Sequence, residues 1–289
     1  MSGAVKLPPA LADNTRYIGY ALGSQLVMLG LTTLEGETRS MALNQNIALL
    51  IDCDNVSHRA IEGVLEELAK YGKVNVRHAH GDWNNPAMKG WIEKVHPNAI
   101  RPIQQFALTK GNNATDASMI IDAMDLLYGD NVNAFALMTS DSDFTPLVMR
   151  LLESGFTVYG FGERKTPQPF VDACSQFIFT ENLETAEEQE PAANTVTKAE
   201  THPSPKKQSR NELRMNTALV KLLRTAVEQT SDEEGWAHLG GVGPYISNNS
   251  SFSPVNYGCK KLSELVKASE LFEVQTHNKT VHIRDNRAR

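Results

Sequence analysis

Cysteine is scarce in this sequence: Cys53, Cys174 and Cys259 stand far apart in 289 residues, with no CxxC pair. That excludes a disulfide framework and a zinc ribbon, and it makes a reducing cytoplasm the expected compartment. The eight histidines show no HxxxH or HExxH spacing, so a zinc hydrolase site is excluded too. Long apolar runs are also missing. Residues 17–31 are apolar but too few to cross a bilayer as a helix. They have the length of a signal-peptide core, yet no small-x-small cleavage site precedes the acidic 34–37 stretch. Nor is there an excess of positive charge, the formal net charge being −6. What is present, 41% hydrophobic and 21% charged residues, is ordinary for a soluble globular protein and rules out wholesale disorder. The length suits about two domains.

The acidity is unevenly spread. Residues 46–182 hold 11 Lys/Arg against 17 Asp/Glu, whereas residues 209–289 hold 11 against 9. An acidic first domain can bind a metal and, through it, an anion; a mildly basic second domain keeps nucleic acid open as a partner. Met41 stands just before the first clear strand, so it is the expected native start, with the first 40 residues an upstream extension.

From residue 46 strands and helices alternate. The apolar run 47–51 reads as a strand, 57–71 as a helix, 73–80 as a strand, and a short helix follows Asn85-Pro86. Strand 99–106, helix 115–128, strand 134–138, helix 144–153 and strand 156–161 complete the series. This pattern predicts an α/β fold with a parallel sheet covered on both faces. Residues 183–208 are polar and without aromatics, which predicts a flexible linker. A helix over 211–229, a short one over 237–247, a third over 254–268 and a hairpin turning at 277–279 predict a winged helix at 209–285. Residues 1–45 stand apart as an N-terminal extension.

Chemistry concentrates where strands end, the place where open α/β sheets bind ligands. Strand 47–51 runs into Asp52-Cys53-Asp54-Asn55, and strand 134–138 into Thr139-Ser140-Asp141-Ser142-Asp143. Asp116 opens helix 115–128. If those strands are neighbours, Asp52, Asp116, Asp141 and Asp143 converge, and their mutual repulsion calls for protons or a divalent cation. Oxygen ligands select Mg²⁺ or Mn²⁺, which suits phosphodiester cleavage. Plainer roles compete. Asp54 and Asp143 can cap the helices that follow them, and Asn55 is either a turn residue or a hydrogen-bonder in the pocket. Lys110 is a phosphate contact or an ordinary loop lysine, and Ser140 is a second candidate substrate contact. Asp122 and Asp125 fall on an expected solvated face, and His78 and His80, on one side of a strand, read as surface or core histidines.

The run 47–57 (IALLIDCDNVS), the helix 115–128 (TDASMIIDAMDLLY) and the segment 135–162 resemble the NYN domain, the PIN-like nuclease fold of LabA-type proteins. The resemblance implies that Asp52, Asp116, Asp141 and Asp143 hold Mg²⁺ for RNA cleavage, with Asn55 beside the first aspartate. Residues 234–239 (EGWAHL), 256–265 (NYGCKKLSEL) and 271–274 (LFEV) resemble the LOTUS (OST-HTH) domain, which implies a winged-helix module binding RNA, G-rich RNA included, or a protein partner. Gly240-Gly241 departs from good helix formers there. Within this module Tyr257, Lys260 and Lys261 suit stacking and phosphate contact, or alternatively a core tyrosine on a solvated helix face.

Together these readings predict a metal-dependent endonucleolytic ribonuclease with Mg²⁺ or Mn²⁺, an appended RNA-binding winged helix and no membrane association. Two alternatives remain. One is a non-catalytic RNA-binding scaffold. The other is a haloacid-dehalogenase-type phosphatase using Asp52, Asp54, Thr139 or Ser140 and Lys165. Against the phosphatase, Asp141 and Asp143 precede the lysine that should come before them.

Overall fold

The computed structural model describes residues 45–105, 114–129, 131–184, 207–277 and 280–287. Expectations for the N-terminal extension, Lys110, most of the linker and the hairpin tip lie outside the described residues. Among the described residues no helix is long and apolar enough to cross a membrane.

The first part alternates as β1 (Gln45–Asp52), α1 (Ile61–Leu68), β2 (Gly72–Gly81), α2 (Lys89–Val95), β3 (Arg101–Gln104), α3 (Ala114–Leu127), β4 (Ala134–Met138), α4 (Thr145–Glu153), β5 (Thr157–Gly162), α5 (Gln168–Ala173) and β6 (Gln176–Phe179). Helix α5 and strand β6 were not anticipated, being too short for periodicity to register. All strand pairs are parallel, in the order β3-β2-β1-β4-β5-β6. Residues 47–51 of β1 are fully buried because helices cover both sides of the sheet. Ile47, Leu49 and Ile51 pack with Val64, Leu68 and Trp91 on one face. Ala48 and Leu50 pack with Met119, Leu147 and Phe170 on the other. Each fully buried Leu or Ile contributes about 1.5–3 kcal/mol as an upper estimate. The chain runs outward from β1 to β3, then crosses back to β4 on the far side of β1. That reversal opens a crevice at the carboxyl ends of β1 and β4.

The second part comprises α6 (Arg210–Met215), α7 (Thr217–Thr230), β7 (Ala237–His238), α8 (Leu239–Asn249), α9 (Leu262–Ser269), β8 (Phe272–His277) and β9 (Thr280–Asp285), with an antiparallel sheet ordered β7-β9-β8. The single helix expected over 211–229 is broken at Asn216, whose side chain accepts from the Leu219 N–H at 3.0 Å and caps α7. The helix expected over 254–268 is likewise divided. A 3₁₀ turn at Pro254–Tyr257 ends on Gly258 at φ +72°, a left-handed conformation that suits glycine, before α9 begins. Helix α8 accommodates Gly240, Gly241 and an internal Pro244, anchored by buried Val242 and Ile246.

The two parts meet at the outer edge of β6. The Phe177 N–H donates to the Ser251 carbonyl at 2.8 Å. Asn256 does what a neighbouring strand would do: its Oδ1 accepts the Phe179 N–H at 3.0 Å, and its Nδ2 donates to the Phe177 carbonyl at 2.8 Å. Asn182 Nδ2 adds a bond to Asn256 Oδ1 at 3.2 Å. An exposed strand edge is thereby paired rather than left open.

Candidate active site

Strand register brings the first two acidic segments together. Ile51 pairs with Met138, which sets Asp52 beside Thr139. Asp52 is fully buried. Its Oδ2 accepts from Thr139 Oγ1 at 2.7 Å and from Asn55 Nδ2 at 2.8 Å, and its Oδ1 accepts the Asp54 N–H at 3.3 Å. Burial raises the Asp52 carboxyl above the ordinary range, partly offset by the Thr139 and Asn55 bonds. Thr139 Oγ1 also accepts the Asp141 N–H at 3.1 Å, so one hydroxyl links the ends of both strands. Asp141 in turn caps the 142–144 turn through the Asp143 N–H at 2.9 Å. The capping considered for Asp143 therefore belongs to Asp141, and Asp143 stands exposed.

Asp116 sits in the first turn of α3. Burial, together with the negative charges of Asp52, Asp141, Asp143 and Asp54, pushes its carboxyl up to about 6. The charges of the other three carboxylates singled out by sequence thus all bear on Asp116. Asp54 has a role that capping did not anticipate: its Oδ2 accepts from Thr115 Oγ1 at 2.9 Å and fastens the start of α3 to the loop after β1. The cap of the following turn comes from Ser57 instead. Cys53, between the two aspartates, packs into the core, and burial raises its thiol far from any thiolate role.

One strand away a second polar network holds α3. Asp122, expected on a solvated face, accepts from His78 Nδ1 at 2.7 Å and His80 Nε2 at 3.0 Å. Ser118 Oγ lies 3.3 Å from His80 Nδ1. Burial alone would raise the Asp122 carboxyl, but the two histidines hold it well below the ordinary range. His80 pairs in register with Asp52, so the network borders the carboxylate crevice. A sequence signal existed in His78 and His80 facing one way, but their partner lies 42 and 44 residues on.

Other singled-out residues fall elsewhere. Ser140 Oγ accepts the Glu163 N–H at 2.9 Å and so braces the end of β5. Lys165, the lysine of the phosphatase alternative, pairs with Glu163 at 2.8 Å. Tyr257 stacks on Phe252 with ring centroids 5.7 Å apart. Lys260 opens onto the cleft between the two parts, which Glu66, Glu67 and Lys70 line from the other side, and exposed Lys261 precedes α9.

The donor set is all oxygen, the kind hard divalent cations take. The repulsion felt at Asp116 is the electrostatic condition such a cation relieves. Among the described residues, however, no three His, Cys, Asp or Glu groups are placed to hold a metal ion. The residues fit in chemistry and charge, with the carboxylates not drawn in to a common point.

Comparison with known proteins agrees with both halves. The family model of the NYN domain matches residues 46–184, and that of the OST-HTH/LOTUS domain matches residues 214–284. An uncharacterized protein of Methanocaldococcus jannaschii is 28% identical over 120 residues, covering 40% of this chain and 47% of that protein. The chain thus spans about half the length of the curated relative it matches. A crystal structure of a Vibrio parahaemolyticus protein of unknown function aligns at TM-score 0.41 and 20% identity, over 47% of this chain and 93% of that one. A solution structure of an uncharacterized Nitrosomonas europaea protein aligns at TM-score 0.22 and 31% identity, over 34% and 87%.

Proposed function

From a chain that joins an NYN domain to an OST-HTH/LOTUS domain, we propose a divalent-metal-dependent ribonuclease that cleaves RNA phosphodiesters endonucleolytically. The observation that carries this reading is the state of Asp116 at the topological switch point: burial, with the negative charges of Asp52, Asp141 and Asp143 bearing on it, pushes its carboxyl up to about 6. Those four side chains would hold the Mg²⁺ or Mn²⁺. The bound cation supplies Lewis-acid stabilisation of the phosphate and activation of water. Asn55 and Thr139 orient the Asp52 carboxylate through its Oδ2. Asp54 keeps α3, and with it Asp116, against the end of β1. The second domain would bind RNA, and its protein partners and any preference for G-rich RNA belong to the same proposal. The acidic first domain, 11 Lys/Arg against 17 Asp/Glu, has little attraction of its own for a polyanion.

The test is cleavage of labelled unstructured, hairpin and G-rich RNAs with Mg²⁺ or Mn²⁺, wild type against Asp141→Asn. Metal-dependent cutting that falls about 10²-fold or more in the variant supports the proposal, since Asp141→Asn removes one of the anionic oxygen donors that would hold the cation. A second reading, an RNA-binding scaffold, draws on the absence of three closely grouped ligands among the described residues. RNA binding without any cutting by wild type would establish that reading instead.

A further inference from the structure

The second domain carries a groove of about 430 Å³ along α7, lined by Arg214, Lys221, Arg224 and Arg287 with Glu228 as the acid among them. Lys221 and Arg224 stand about one helical turn apart, roughly 5 Å along the axis, and Arg287 follows β9. The local charge is in excess. Arg224 Nε and Arg287 Nη2 share the single Asp285 Oδ2, at 3.1 and 3.3 Å. Arg214 and Lys221 form no ion pair with another described residue. Cations brought to one groove from α6, α7 and the segment after β9 suit a chain of phosphates better than one isolated anion.

The other basic end of this domain is differently placed. Asn256 is bonded to the edge of β6. Tyr257 stacks on Phe252, and Lys260 opens onto a cleft lined by Glu66 and Glu67. Acidic neighbours and a docked turn make the start of α9 a poor entrance for a polyanion.

We infer that the phosphate backbone of single-stranded RNA lies along the α7 groove, contacted by Arg214, Lys221 and Arg287, rather than along the start of α9. Asp285, held by Arg224, fixes the Arg287 guanidinium at the rim. The inference takes its ligand class from the RNA reading above but does not depend on cleavage.

Binding of the full chain to a fluorescent single-stranded RNA of mixed sequence, followed by anisotropy in EDTA over a range of KCl, separates the two. Both lysine and arginine targets are exposed, so charge reversal leaves the core intact, which a thermal melt checks. Arg214→Glu with Lys221→Glu is expected to weaken binding tenfold or more at about 0.1 M salt. It should also make the salt dependence of log K shallower by about 1.4, two phosphate contacts at about 0.7 each. Arg214→Gln with Lys221→Gln should give a smaller loss of the same kind. Lys260→Glu with Lys261→Glu should change affinity less than about twofold. The reverse ranking, or an unchanged salt slope in the groove variants, overturns the inference. If metal-dependent cutting survives while the groove variants bind like wild type, the inference alone fails. If RNA is neither bound nor cut, the functional reading fails with it.

Discussion

Asp116 shows how a carboxylate cluster burdens the fold that carries it. Its folded value of about 6 exceeds that of the unfolded chain, because burial and four neighbouring aspartates oppose its charge. The folded state therefore keeps a proton that the unfolded chain releases. Stability from this group is present below the unfolded value and is lost as pH rises through the window from about 4 to 6. Asp116→Asn removes that loss. In EDTA it should raise Tm by about 2–4 °C at neutral pH, a small gain because solvent screens a partly exposed group. The gain should vanish near pH 4. A Tm that falls in the variant at pH 7, or a gain that persists in acid, would contradict the assigned repulsion; thermal melts across pH decide it.

Elements of the first domain are held to one another at close approaches that leave little room for change. Gly160 in β5 is an example: a Cβ there would meet the Phe177 ring at 2.4 Å and Cys174 Sγ at 2.6 Å. Both neighbours are buried in the core shared by α3, α4 and α5. Gly160→Ala should cost about 1–3 kcal/mol, the usual range for overpacking, and more if β6 must shift. Urea unfolding measures it, and a neutral result would mean that β6 gives way freely. The tie of α3 to β2 through Asp122, His78 and His80 belongs to this scale as well. It was misjudged from sequence because Asp122 lies on the polar side of α3 by periodicity, and periodicity is silent about a histidine pair on a strand.

For the whole molecule, the decisive contact is Asn256 on the edge of β6. Its amide supplies both the acceptor for Phe179 N–H and the donor to the Phe177 carbonyl. Asn256→Asp keeps the acceptor, removes the donor and sets a negative charge against a carbonyl oxygen. We expect the variant to loosen the seam: calorimetry should show two resolved transitions where wild type shows one, and small-angle scattering a larger radius of gyration. An unchanged profile in both measurements would show that the Ser251 bond and apolar contacts suffice without it.

Local features of the chain were enough to determine much of this. The apolar run of 47–51 and the alternation after it establish a parallel sheet, since only strands covered on both faces read as continuous apolar runs. Acids placed directly after two such runs mark the candidate site at the strand ends, whereas the turn at Pro254–Tyr257 lay hidden inside what reads as one helix over 254–268. What remained hidden depends on which elements meet. Thr139 reaches Asp52 across 87 residues, and Asn256 reaches Phe177 across 79. Residues at such separations carry no shared periodicity, so neither Thr139 as the link between strand ends nor Asn256 as the clamp was legible. Strand order, decided by packing helices on both faces of one sheet, brought the first pair together; the open edge of β6, a strand too short to be read, brought the second.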